Sequence, residues 1–331
     1  MCTVGILLYD GCYASSFTGL IDSFQIANAI IDKVAPGTSK ISWLTLSESS
    51  KPVATHSGLN IQADHTLYDA PAIDILYVPA CFYSGYYTKG KVFFDWLDKQ
   101  QFVCQWIASQ YHDGVTLAAN CTGTLLLAET GLLNRKTATT TWWLEKDFKH
   151  RFPLVKLNIK DMITYDERII CAGALSSYFN LAIKFIEQYS DPKIANLCAK
   201  MMLVDVGQAS QEPYQTLFAI PEVKDELVSK VLYELQTNFQ QNIDLHQLAS
   251  KYGVSHRTLI RRFKAELDSA PLEYLQNVRL ESAKTLLESS SLSLTHIVEQ
   301  VGYSDVSSFS RLFKKRLGLT PVMYRNRFKQ A

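Results

Sequence analysis

With 331 residues, 47% of them hydrophobic, the chain has the length of two domains. No apolar run approaches the about eighteen residues of a membrane span, and seven cysteines, an odd number with no Cys-x-x-Cys, argue against disulfides, zinc or another metal and for a reducing cytoplasm. The net charge of +1 hides a division: residues 241–331 hold 14 Lys and Arg against 8 Asp and Glu, whereas the other 240 hold 19 against 24.

Met1-Cys-Thr-Val-Gly-Ile-Leu-Leu-Tyr has no basic leader and runs at once into Asp10, which predicts a first strand and not a signal peptide. Short β-rich runs at 3–8, 41–46, 73–78 and 115–119 then alternate with helical stretches at 20–31, 93–109, 124–130 and 181–189. That alternation predicts an α/β, doubly wound domain: a parallel sheet with helices on both faces. Pockets in such sheets open at the carboxyl ends of the strands, here at 10–16, 79–87 and 120–123.

Two of these strand ends carry chemistry. Val115-Thr-Leu-Ala-Ala-Asn120-Cys121-Thr122-Gly123 places a thiol where a buried strand turns sharply into a helix, the arrangement of a nucleophile elbow. Unpaired N–H groups and the helix dipole at such a position favour a thiolate. Pro79-Ala-Cys81-Phe82-Tyr83-Ser-Gly-Tyr86-Tyr87 is aromatic, and Trp142 and Trp143 follow further on. Candidate ligand contacts are therefore Asp10, Cys81, Phe82, Tyr83, Asn120, Cys121, Thr122 and Trp142. Aromatic faces beside a carboxylate such as Asp10 suit a cationic or quaternary amine; the alternative is that these rings pack the domain or a dimer interface.

Residues 207–222, rich in Gln, Ser and Pro, read as a linker between a domain at 1–206 and another at 223–331. The second domain repeats itself. Gly253 and Ser255 match Gly302 and Ser304 at an offset of 49, while Leu259, Arg261, Phe263 and Pro271 match Phe309, Arg311, Phe313 and Pro321 at 50, which puts one inserted residue between Ser304 and Phe309. Each copy has an apolar helix, a glycine able to turn with positive φ, a serine suited to cap the next helix, and a second apolar stripe. This is a helix-turn-helix, all-α in class. Asp244 with Gln247 suits a capping box, Gly318 a helix stop, and Thr320-Pro321 a new helix start.

Turning the stripes inward leaves His256, Arg257, Ile260, Arg261 and Lys264 outside in the first copy. In the second copy Asp305, Val306, Ser307, Ser310, Arg311, Lys314 and Lys315 are placed likewise. One basic face is an ordinary solvated surface; two at equivalent positions point to double-stranded DNA. Arg257 and Arg261 suit base edges, Arg311 a base edge or a phosphate, and Lys264, Lys314 and Lys315 phosphates.

Gly302-Tyr-Ser-Asp-Val-Ser-Ser-Phe-Ser-Arg-Leu-Phe-Lys314, followed by Gly318-x-x-Pro321-x-x-Tyr324-Arg325, resembles the signature of AraC/XylS-family DNA-binding domains, over roughly residues 220–328. In that family a long helix, here about 271–288, joins two helix-turn-helix units that enter successive major grooves. Cys121-Thr-Gly-x-x-x-Leu-Ala-x-x-Gly-Leu-Leu133 resembles the class I glutamine amidotransferase-like, flavodoxin-like, PfpI-type domain that precedes AraC tails in GlxA-type regulators. The two resemblances imply a cytoplasmic transcription regulator, dimeric through its first domain, whose PfpI-like part senses a small metabolite without a cofactor.

Catalysis by Cys121 needs a base within reach. The resemblance implies a histidine after Ala138-Thr139-Thr140, and Thr141 stands there; Cys171-Ala172-Gly173 and Asn180 depart from the pattern too. His112 and His150 have no evident relation to Cys121. A chemical role, a pocket-lining role and a buried structural role for Cys121 stay open. The competing classes are a cysteine-dependent amidase or hydrolase with an appended DNA-binding domain, and an architectural DNA binder with an inert front domain.

Overall fold

A computed structural model describes residues 2–82, 91–207, 209–215 and 223–329, the side chains of Lys91 and Val92 aside. It divides into two compact units, Met1–Gln211 and Glu212–Ala331.

In the first unit, β1 (Cys2–Leu8) is buried along almost its whole length, as a strand covered on both faces must be. It pairs in parallel with β2 (Ile41–Ser47) and β6 (Ile75–Val78). The sheet continues through β7 (Thr116–Asn120) to β11 (Ile169–Ala172), both parallel, and ends on the antiparallel edge strand β10 (Ile163–Asp166). With β5 (His65–Thr66) on the other edge, the order is β10-β11-β7-β6-β1-β2-β5. Two short pairs lie apart, β3 (Val53–Ala54) with β4 (Asn60–Ile61) and β8 (Thr137–Ala138) with β9 (Lys156–Leu157). This is the doubly wound α/β sheet that the alternation of runs implies.

Helix α1 (Ala14–Val34) packs with α6 (Ser177–Tyr189) and α7 (Pro192–Met201). The expected helix at 93–109 is two, α2 (Lys91–Leu97) and α3 (Gln101–His112), because the chain turns at Asp98–Gln100. Then come α4 (Gly123–Glu129) and α5 (Glu145–Arg151).

The expected linker begins too early. Met162 N–H donates to Ala209 O at 2.8 Å and Gln211 N–H to Lys160 O at 2.7 Å, and the Gln211 side chain is only 1% exposed. Its amide donates to Thr140 O at 3.0 Å and Thr139 Oγ1 at 3.1 Å and accepts from Ala174 N at 3.0 Å. Gln208 and residues 216–222 lie outside the described residues.

The second unit is helical throughout: α8 (Glu226–Thr237), α9 (Leu245–Lys251), α10 (His256–Leu267), α11 (Pro271–Ser289), α12 (Leu294–Gln300), α13 (Val306–Leu317) and α14 (Pro321–Phe328). It has two cores. Leu248, Ala249, Leu259 and Phe263 build one with Tyr274 and Leu275 from the start of α11; Ile297, Val298, Phe309 and Phe313 build the other with Leu280, Ala283 and Leu287 from its far half. At about 1.5 Å per residue, the 19-residue α11 is about 28 Å long, so one rigid rod serves both cores. Lys284 of α11, 2% exposed, is satisfied by the Gln215 carbonyl and by Glu281 at 3.0 Å.

Candidate functional site

Because β1, β6 and β7 are neighbours, their carboxyl ends bring the segments 10–13, 79–82 and 120–123 together. Six of the candidate ligand residues, Asp10, Cys81, Phe82, Asn120, Cys121 and Thr122, share this rim. Tyr83 lies outside the described residues. Trp142 sits on a 3-10 turn, edge-on to Trp143, just after Thr140, whose hydroxyl donates to Cys121 O at 2.6 Å.

The elbow is real. Cys121 has φ of 53°, between β7 and α4. A Cβ on Gly123 would stand 2.5 Å from the carbonyl oxygens of Val78 and Pro79, so the turn tolerates only glycine there.

Burial, however, works against the expected thiolate. Cys121 is 3% exposed, and burial pushes it up to about 12, against the weaker opposing pull of hydrogen bonding at Thr122. The dipole argument for a thiolate fails because α4 is short and its start is dry; desolvation outweighs a fraction of a helix dipole. The buried Thr141 hydroxyl adjoins the thiol. A histidine at that position would reach the sulfur, and threonine supplies no base at neutral pH. His112 ends α3, and His150 lies on α5, exposed. The histidine found at the rim is His56, between β3 and β4: its ring stacks on Phe82 at 4.3 Å and meets Tyr13 edge-on at 5.0 Å. Only the fold shows this, since His56 lies 26 residues from Phe82 in a stretch without a motif.

Several rim residues are structural. Asn120 Oδ1 accepts from Tyr77 Oη at 2.7 Å, Ser16 Oγ at 3.0 Å and Ala80 N at 3.1 Å, while Nδ2 donates to Leu175 O at 2.9 Å. Thr122 Oγ1 accepts from Cys81 N and donates to Cys81 O, both at 2.7 Å. The Asp10 carboxylate accepts from Ala54 N at 2.9 Å, and a cleft of about 260 Å³ opens beside it, lined by Tyr9, Ser47, Lys51, Trp96 and Gln100 among others. Trp96, whose ring lies 5.5 Å from Tyr9, escaped notice in the sequence because it is interior to an amphipathic helix. Asn180 lines a second cleft, of about 380 Å³, with Met162, Tyr165 and Glu187.

In the second unit the helices of the two helix-turn-helix copies have matching lengths, and their spacing matches to within one residue. α9 and α12 match at an offset of 49, α10 and α13 at 50. The inserted residue is therefore in the turn, before the helix and not within it. Ser255 caps α10 through Thr258 N at 3.1 Å, but Asp305, not Ser304, caps α13, accepting from Ser307 N at 3.2 Å and Ser308 N at 2.7 Å. Two of the expected surface residues therefore have structural roles as well: the exposed Asp305 is a cap, its carboxyl held below the usual range by Ser308, and the half-buried Val306 packs against the second core.

The other candidates are exposed or half-buried on the outward faces. Arg262 is turned back, donating two hydrogen bonds at 2.5 Å to Asp225, and Arg316 bonds Glu273 at 3.1 Å. Among the described residues no ion pair engages Arg257, Arg261, Lys264, Lys314 or Lys315. Arg311 donates to Ser308 Oγ at 3.2 Å, and the His256 ring lies 4.0 Å from that of His246.

Residues 3–188 match the DJ-1/PfpI family, and residues 248–327 a helix-turn-helix domain. The chain belongs to the DJ-1/PfpI family. This DJ-1/PfpI chain is 25% identical over 316 residues to the HTH-type transcriptional regulator CdhR of Pseudomonas aeruginosa, covering 95% of its own length and 89% of that protein. It is 23% identical to the HTH-type transcriptional regulator GbdR of the same species, with 96% and 83% covered. A solved transcriptional regulator protein from Vibrio parahaemolyticus, described there as putative, shares the fold of the first unit, with a TM-score of 0.51 at 16% identity over 61% of this chain and 98% of that one. A PfpI-type domain ahead of a helix-turn-helix DNA-binding domain is the make-up of a transcription regulator. Among the described residues, no helix is long and apolar enough to cross a membrane, and no group of three or more His, Cys, Asp or Glu is placed to hold a metal ion.

Proposed function

We propose that this regulator reads an asymmetric DNA site with its two unlike helix-turn-helix faces, under the control of a small molecule received by a catalytically silent PfpI-type domain. The observation that carries the DNA reading is the set of unpaired cations on equivalent faces of α10 and α13. Arg257 and Arg261 lie one turn apart on α10 and suit guanine edges, with Ile260 and His256 beside them. On α13 the short Ser307 and Ser310 permit close approach, Arg311 reaches a base or phosphate, and Lys314 and Lys315 hold phosphates, as Lys264 does on α10.

Gel shifts on DNA selected from a randomised pool test this. Arg261→Ala is expected to lose about 1–3 kcal/mol and base preference at one position, whereas Lys314→Ala weakens all sequences alike and lowers the salt slope by about one. Equal losses on selected and random DNA for Arg261→Ala would refute the assignment.

Silence of the first unit is supported by the buried, protonated Cys121 and by Thr141 in the place of a base; hydrolysis that falls on Cys121→Ser would overturn it. For the effector, the cleft beside Asp10 offers two aromatic rings, Tyr9 and Trp96, next to a carboxylate, which suits a cationic or quaternary amine. In calorimetry with betaine, carnitine and arginine, binding is expected in the wild type and at least about tenfold weaker in Trp96→Ala, and no binding by any amine ends this reading. Self-association through the first unit is supported by the exposed Tyr165, Leu197, Met201 and Leu203, and sedimentation as a monomer at micromolar concentration would exclude it.

A further inference from the structure

We propose that Cys12 and Cys81 are a latent disulfide pair, which locks the rim of the first unit when the protein meets a two-electron oxidant such as a hydroperoxide. The segments carrying them run antiparallel and form an isolated bridge with Cys12 opposite Cys81. Tyr13 N–H donates to Ala80 O at 2.8 Å, and Phe82 N–H donates to Gly11 O at 3.0 Å. These bonds flank the two cysteines, which are therefore a non-hydrogen-bonded pair. In such a pair the Cα atoms stand about 4.5 Å apart and the side chains leave the same face. A disulfide accepts Cα separations of about 4.4–6.8 Å.

All seven cysteines are free and buried, but these two stand across a ladder whose backbone is held on both sides. Thr122 grips the N–H and the carbonyl of Cys81, and the Cys12 carbonyl accepts from His56 N at 2.9 Å. Bond formation then asks for side-chain rotation within a fixed frame.

The chemistry balances with one peroxide. A sulfur of the pair attacks a peroxide oxygen, the O–O bond breaks, and water leaves a sulfenic acid behind. The second sulfur displaces that oxygen as another water and closes the S–S bond. Two thiols give up two protons and two electrons, and hydrogen peroxide becomes two waters. Burial pushes Cys12 up to about 11 and Cys81 up to about 12, so thiolate is scarce at neutral pH and oxidation is slow. The same basicity makes each sulfur a poor leaving group, so monothiols reopen the bond slowly as well. The pair behaves as a lock more than as a fast sensor, fastening the loop after β1 to the loop after β6. Cys121 is a third thiol near Cys81 and the natural competitor.

The test treats the full chain with hydrogen peroxide and, separately, with diamide, then alkylates it in denaturant and maps the digest by mass spectrometry. The expected product joins the Cys12 and Cys81 peptides, persists in Cys121→Ser and is absent from Cys12→Ser. The locked protein is expected to melt about 5 °C or more higher in the transition of the first unit, reversibly with dithiothreitol. Separate alkylation of Cys12 and Cys81 after saturating diamide would overturn the proposal, and so would a bond from Cys81 to Cys121.

Discussion

Gly302→Ala is expected to destabilise the DNA-binding unit by about 3 kcal/mol or more, and Gly253→Ala by only about 1 kcal/mol, although the two glycines occupy the same turn of the same motif. Both have positive φ, +83° and +69°, so both substitutions incur the left-handed penalty that a Cβ brings. They differ in surroundings. A Cβ at Gly253 meets nothing within 4 Å, whereas at Gly302 it would stand 2.8 Å from the carbonyl oxygens of both Phe239 and Gln240 and 3.0 Å from Arg279 Nη2. Those atoms have little freedom. Arg279 Nε donates to Phe239 O at 2.7 Å and Nη2 to Gln241 O at 2.8 Å, its guanidinium lies 5.1 Å from the centre of the Tyr303 ring, and Phe239 packs on both cores. Hydrogen exchange in the full chain, of α9 and α10 for Gly253→Ala and of α12 and α13 for Gly302→Ala, reads the difference without assuming a single two-state transition. Equal protection in the two variants would mean that the 239–241 loop yields freely.

Asn120→Ala should lower the melting temperature of the first unit by about 6–12 °C, from a loss of about 3 kcal/mol. Asn120 is fully buried, and its amide makes four hydrogen bonds, to Tyr77, Ser16, Ala80 and Leu175. Alanine leaves the Ala80 N–H with the Ser16 hydroxyl alone and the Leu175 carbonyl without its donor, and opens a void under the elbow. Because the same residue ties the ends of β6 and β7 to the start of α1, the rim that frames Cys121 should loosen with it. Calorimetry reads the midpoint, and non-specific DNA binding by the second unit serves as a folding control. A fall of less than about 2 °C would show that water replaces the amide at little cost.

The helix-turn-helix repeat was legible because its signals are local: apolar stripes, turn glycines and a cap fall within about twenty residues of one another. The cap of the second recognition helix was misread for the same reason. Ser304 and Asp305 are both good N-caps, and only the register of α13 against its core, through Phe309 and Phe313, selects Asp305 and sets the half-buried Val306 against that core. The linker was placed too early because Gln211 looks polar in the sequence, and the five groups that its side chain hydrogen-bonds lie 37–72 residues away.

By itself the sequence determined the class of each domain, the elbow at Cys121, and the division between an acidic body and a basic tail. These rest on periodicity, turn chemistry and charge, which neighbouring residues carry between them. Tertiary structure decided what those parts can do. It buried the Cys121 thiol until desolvation outweighed the helix dipole, set Thr141 against it, and brought His56 and Trp96 to the rim from stretches without a motif. It also set Cys12 across from Cys81, and chose which arginines pair within the fold and which stay without an ion pair among the described residues. Burial and contact are sums over the whole fold, and no local pattern encodes them.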